Sequence, residues 1–155
     1  MKKAIMLDLQ EVPDCQIEKE YRSRFWVGPG RLIQSTDQAA RHFVVTLGKY
    51  QNREVFSVMF LNAQHKHLAT EELFFGTLSE GIVYPREIIR KALRYGAAAI
   101  ILAHNHPTGD LNPSRADIEV TNSLVQICKM IEIKVLDHVI IAGKQWLSFH
   151  DRALL

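Results

Sequence analysis

The sequence predicts an α/β protein in which a mixed β-sheet is flanked by helices. Three features predict it. Ala97 to Leu102 is an apolar run that reads as a buried strand, Val55 to Leu61 is rich in β-formers, and residues 133–142 form another strand. Between them lie segments whose apolar residues recur at helical spacing, opened by capping residues or proline and often closed by glycine. Finally, 155 residues with 47% hydrophobic and 23% charged content suit one domain with a sizeable core.

The elements follow in order. Residues 1–30 read as an N-terminal extension in which Gln16 to Trp26, alternating polar and larger residues, is expected to add an edge strand; residues 31–155 form the domain proper. Gly28-Pro29-Gly30 is a turn. Ser35 and Gln38 make a capping box for a helix carrying Ala39, Ala40, Phe43, Val44 and Leu47, stopped at Gly48. Glu54 heads the next strand, Asn62-Ala63-Gln64 turns it, and His67 to Phe75 returns to give a hairpin. Pro85 suits the first position of a helix through Ile88, Ile89, Ala92 and Leu93, ended by Gly96. A buried strand reaches Ala103, and from Ser114 a long helix carries Ile118, Leu124, Val125, Cys128 and Ile131. After the strand at 133–142, Gly143-Lys144 turns the chain and Gln145 to Phe149 closes a short hairpin. The predicted order is β-α-β-β-α-β-α-β-β, without internal repeats.

Chemistry concentrates where the central apolar strand ends. His104 and His106 stand at i and i+2, so in extended backbone their imidazoles point to one side. Ten residues then intervene before Asp117, just inside the next helix. Two imidazoles and a carboxylate leave a fourth tetrahedral position for water, as catalytic zinc sites do. Other readings remain open on these residues alone. A strand-end histidine is commonly just hydrogen-bonded, and Ser114-x-x-Asp117 also describes a helix start with an N-cap and a first-turn acid. Asp137 and His138 interrupt an apolar strand, where burial costs a few kcal/mol unless partners are found. Those partners lie either around the site, orienting a ligand, or elsewhere in the sheet.

His104-x-His106-Pro107, the ten-residue gap to Asp117 and Ser114-x-x-Asp117 together resemble the JAMM metalloprotease motif of JAB/MPN domains. His104 to Asp110, Pro113 to Asp117, Gly76-Thr77-Leu78, Pro85-Arg86-Glu87 and Leu136 to Ile141 resemble the RadC branch. The resemblance runs from Glu54 to Leu155. It implies a cytidine-deaminase-like JAB/MPN domain with a curved mixed sheet. It also implies a metallopeptidase in which His104, His106 and Asp117 hold Zn²⁺, a glutamate at the start of an earlier strand is the base, and Ser114 steadies the oxyanion. Glu54 matches that glutamate; Glu71, Glu72 and Glu80 compete with it. Peptide or isopeptide bonds of protein substrates are the implied target. The RadC label implies an alternative, a DNA-repair accessory protein.

Composition narrows these readings. A net charge of +2 without a dense Lys/Arg run gives nucleic-acid binding no support; Lys2-Lys3, Lys19, Arg22, Arg24 and Arg31 read as solvated surface. Cys15 and Cys128 lack any Cys-x-x-Cys partner and read as free thiols in a reducing compartment. No run approaches the roughly 18 apolar residues of a membrane span. The opening Met1 to Leu7 is interrupted by Asp8 and Glu11, unlike a signal peptide, so the expected location is the cytoplasm. His65 and His67 are expected at the surface of a polar hairpin turn, and His42 and His150 carry no signal.

Overall fold

The computed structural model describes residues 12–76 and 83–155. Lys2-Lys3, the signal-like opening with Asp8 and Glu11, Thr77, Leu78 and Glu80 lie outside the described residues. The order of elements is α1 (Asp14–Phe25), α2 (Thr36–Leu47), β1 (Val55–Leu61), β2 (His67–Phe75), α3 (Pro85–Tyr95), β3 (Ala99–Asn105), α4 (Arg115–Met130), β4 (Lys134–Ala142) and β5 (Gln145–Ser148).

The first element corrects an expectation. Gln16 to Trp26 adds no edge strand; it falls largely within helix α1. Ile17, Tyr21 and Phe25 recur every four residues, a helical period, while Glu18–Arg22 (2.9 Å) and Glu20–Arg24 (2.6 Å) pair across one turn. The division at residue 30 is also less sharp than the sequence implies, because Val27 and Ile33 are both buried in the core.

The remaining elements form where the sequence places them. Ser35 caps α2 by accepting from the Gln38 amide, and Gly96 ends α3 in the left-handed conformation (φ 62°) that glycine adopts without strain. Among the described residues the strands make one five-stranded mixed sheet in the order β2-β1-β3-β4-β5. β3 runs parallel to β4, and the other neighbours are antiparallel.

Alternation along the central strands builds two cores. Val55, Met59 and Leu61 of β1 and Ala99, Ile101 and Ala103 of β3 pack with Ala40, Phe43 and Leu47 of α2. Phe56, Val58, Phe60, Ile100 and Leu102 face the other way, onto Ile88 and Ala92 of α3 and Leu124 and Cys128 of α4. The sheet is therefore covered on both sides, which is why β3 is apolar up to His104 and β1 is apolar except at Ser57, whose hydroxyl donates to the Glu71 carbonyl. Cys15 is exposed and free; Cys128 is buried and free, its thiol pKa pushed up to about 11 by burial. No helix among the described residues is long and apolar enough to cross a membrane.

Candidate metal centre

Register carries the site residues to one edge of the α4-facing layer. His104 has the parity of Ile100 and Leu102 and so points toward α4. The antiparallel partner of His104 is Phe56, whose ring stacks on the imidazole at 6.0 Å and 10°. The same parity brings Glu54, two residues before Phe56, toward His106, two residues beyond His104. On the parallel side Leu102 is level with His138, and the His104 and His138 rings lie 4.9 Å apart.

Helix α4 supplies the carboxylate through its own capping. Ser114 accepts from the Asp117 amide (3.1 Å), and Asp117 Oδ2 accepts from both the Ser114 amide and hydroxyl (2.7 Å each). The first turn of α4 thereby fixes Asp117 beside the imidazoles. Ser114-x-x-Asp117 is a capping box, and the same first turn sets the Asp117 carboxylate next to His104 and His106.

The donor atoms converge. His104 Nε2 lies 2.8 Å from His106 Nε2 and 3.2 Å from Asp117 Oδ1, and His106 Nε2 lies 3.7 Å from Asp117 Oδ2. Bonds of about 2.0–2.1 Å at tetrahedral angles put zinc ligands roughly 3.3 Å apart, within this spread. The donor chemistry fits as well. His106 Nδ1 is 2.6 Å from the Asp110 carbonyl, which can only accept, so Nδ1 carries the proton and neutral His106 offers an Nε2 lone pair. Three such ligands around one point can hold a divalent cation.

The electrostatics agree. Burial pushes the Asp117 carboxyl up, but the adjoining His104 and His106 and the Ser114 hydroxyl outweigh it and hold it well below the usual carboxylate range. The neighbouring Asp117 carboxylate raises His106 against the opposing effect of burial. His138 is held far below the ordinary histidine value by burial and then by the neighbouring His104, so it is neutral.

Glu54, Phe56, Phe74, Gly76, Val83, Val120, His104 and Asp117 line one cavity of about 270 Å³. Of the competing glutamates among the described residues, Glu54 alone lines it. Glu71 is bound to Lys91 at 2.6 Å and to Tyr95, while Glu72 is bound to Lys49 at 3.0 Å and to Tyr50. The paired positions 137 and 138 separate by strand alternation. His138 reaches His104, whereas Asp137 accepts from the His138 and His150 amides and the Ser148 hydroxyl and touches none of the three converging side chains.

Two supporting residues escaped the sequence reading. Asn105 points away from the site; it accepts from the Val55 amide and donates to the Tyr50 and Arg53 carbonyls, pinning the loop that leads into Glu54. Thr121 lies one turn beyond Asp117 and contacts His138. His67, expected at the surface, is buried, because the chain at Gly30 and Arg31 hydrogen-bonds across it.

Comparison with known proteins agrees with this architecture. The sequence model of the RadC-like JAB domain matches residues 33–154. The chain belongs to the RadC-like JAB family. It is 44% identical over 127 residues to the UPF0758 protein YeeS of Escherichia coli, covering 82% of this chain and 85% of that protein. It is 45% identical over 125 residues to a UPF0758 protein of Albidiferax ferrireducens, covering 81% and 53% respectively. With a UPF0758 protein of Thiobacillus denitrificans it shares 49% identity over 117 residues, covering 76% and 52%. Apart from YeeS, the chain spans about half the length of these relatives.

Proposed function

We propose that this RadC-like JAB domain is a zinc-dependent hydrolase of peptide or isopeptide bonds. The observation that carries the reading is the convergence of His104 Nε2, His106 Nε2 and an Asp117 oxygen at the edge of a cavity that Glu54 also lines. Two imidazoles and a carboxylate favour zinc over harder cations. A bound divalent ion there supplies Lewis acidity toward a water and toward a carbonyl oxygen.

The chain's own groups divide the remaining work. Glu54 takes a proton from the attacking water as the water oxygen adds to the amide carbon. It returns that proton to the departing amine as the C–N bond breaks. Ser114 has two tasks: in the resting site its hydroxyl donates to Asp117, and toward substrate it donates to the developing oxyanion. Phe56, Phe74, Val83 and Val120 give the cavity an apolar wall against which a substrate side chain excludes water. Unpaired Cys15 and Cys128 suit the reducing cytoplasm.

The test is zinc content of the purified chain with hydrolysis of a peptide library. Glu54→Gln keeps zinc and loses about 10²–10⁴-fold in rate, the usual contribution of a positioned acid–base group. Full activity in that variant places the base elsewhere. Zinc-independent, steeply salt-sensitive DNA binding without hydrolysis would replace this reading with the accessory-protein one.

A further inference from the structure

We infer that Thr121 and His138 form a tautomer lock that fixes which nitrogen of His104 faces the cation, an inference that rests on the metal reading above. Thr121, His138 and His104 make a chain of contacts: Thr121 Oγ1 is 2.5 Å from the Asp117 carbonyl and 2.6 Å from His138 Nδ1, and His138 Nε2 is 2.8 Å from His104 Nδ1. Thr121 and His138 are fully buried, so water does not supply alternative partners.

Donor and acceptor counting gives the chain one direction. The Asp117 carbonyl can only accept, so the single Thr121 hydroxyl proton is committed to it. Thr121 Oγ1 must then accept from His138, which places the His138 proton on Nδ1. Neutral His138 therefore has a bare Nε2, which accepts from His104 Nδ1–H. His104 in turn is left with its lone pair on Nε2, the atom that converges with His106 and Asp117. With the opposite polarity, His104 would present an N–H to the cation site and Thr121 would leave two oxygens in contact without a proton between them.

Helix α4 thus controls two ligands from one surface. Asp117 is a ligand itself, and Thr121, four residues on, sets the tautomer of a second ligand through a strand two places removed from β1. Phe56 and Phe149 enclose the imidazoles, with the Phe149 ring 4.6 Å from that of His138, and hold them in register. Thr121 and His138 are positioning residues: they touch neither the cation site nor a substrate.

The experiment has two arms on the full chain. In the first, ¹⁵N NMR of the histidine rings in zinc-free wild type reads the His138 tautomer. The lock requires a protonated Nδ1 and a bare Nε2; a proton on Nε2 overturns it, whatever zinc does. In the second, zinc affinity is measured by competition with a chromophoric chelator. Thr121→Val loses about 10–100-fold, the usual weight of a hydrogen bond behind a ligand, and Thr121→Ser restores it. Equal affinity in both variants overturns the lock. Absence of zinc binding in the wild type instead sinks the metal reading and leaves the lock without a purpose, while the NMR arm still reports the proton's position.

Discussion

On the α2 face of the sheet, His42 and His67 are buried with ring centroids 6.1 Å apart; on the α4 face, His104 and His138 are buried at 4.9 Å. Burial is alike, but the hydrogen-bond directions are not. His42 Nδ1 accepts from the Val27 amide, so its proton sits on Nε2 and no lone pair remains for a cation. His42 Nε2 and His67 Nδ1 find no hydrogen-bond partner among the described residues. On the α4 face Asp117 lies beside two imidazoles whose backs are held by His138 and the Asp110 carbonyl. The faces differ in that on the α4 side second partners turn the histidine lone pairs toward a common point beside a carboxylate, and on the α2 side they do not.

The largest effect expected from this contrast is on zinc. His104→Ala removes a ligand and should cost more than the roughly 10–100-fold associated with outer hydrogen bonds. His67→Ala, on the opposite face, should leave zinc affinity unchanged while lowering stability. Isothermal titration of both variants, with thermal melts alongside, checks the pair. A fall in zinc affinity for His67→Ala would mean that the two faces are coupled or that the cation sits elsewhere.

The same contrast explains what the sequence could and could not reveal. The convergence of His104, His106 and Asp117 was legible in part from strand parity and helix capping, which are local rules, and in part from the resemblance to the JAMM motif, which ties the three together. The strand hairpin, α2, α3 and α4 were legible from such local rules. Thr121 was hidden, because a threonine inside a helix is unremarkable until β4 brings His138 against it. Burial of His67 was hidden too, since it depends on the Gly30–Arg31 segment, more than thirty residues upstream in the chain. Asp137 and His138 look like one polar pair in the sequence, but neighbouring strand residues face opposite ways, so only His138 reaches His104. In α1 the alternation of polar and larger residues outweighed the four-residue spacing of Ile17, Tyr21 and Phe25, which was the better guide.

A smaller effect should appear in acid. Burial, and then the neighbouring His67, lowers the His42 pKa from 6.5 to about 4. The unfolded chain therefore takes up this proton before the folded one does. The resulting stability is fully present above about pH 6.5 and is lost as pH falls toward 4. At about 1.4 kcal/mol per pKa unit, the loss by pH 4.5 is on the order of 2–3 kcal/mol. His42→Asn, whose side-chain oxygen can still accept from the Val27 amide, should flatten that part of the pH dependence in denaturant melts. An unchanged slope would assign acid sensitivity to other groups, His138 first among them.

The smallest effect is the most discriminating, because it compares one device used on both faces. Ser35 caps α2 and Ser114 caps α4, each accepting from the amide three residues on. Replacement of either by alanine should cost about 1 kcal/mol of stability, the ordinary value of an N-cap. Only at Ser114 is the capping partner also a proposed ligand, and Asp117 Oδ2 there accepts from both the Ser114 amide and hydroxyl. Ser114→Ala keeps the amide bond but frees the carboxylate to rotate, so zinc affinity should fall about tenfold beyond the stability loss shared with Ser35→Ala. Hydrolysis should fall further than zinc loading alone explains if the hydroxyl also serves the oxyanion. Matching stability losses with unchanged zinc affinity and unchanged rate at saturating zinc would reduce Ser114 to a cap, and would leave the rest of α4 to hold Asp117 in place.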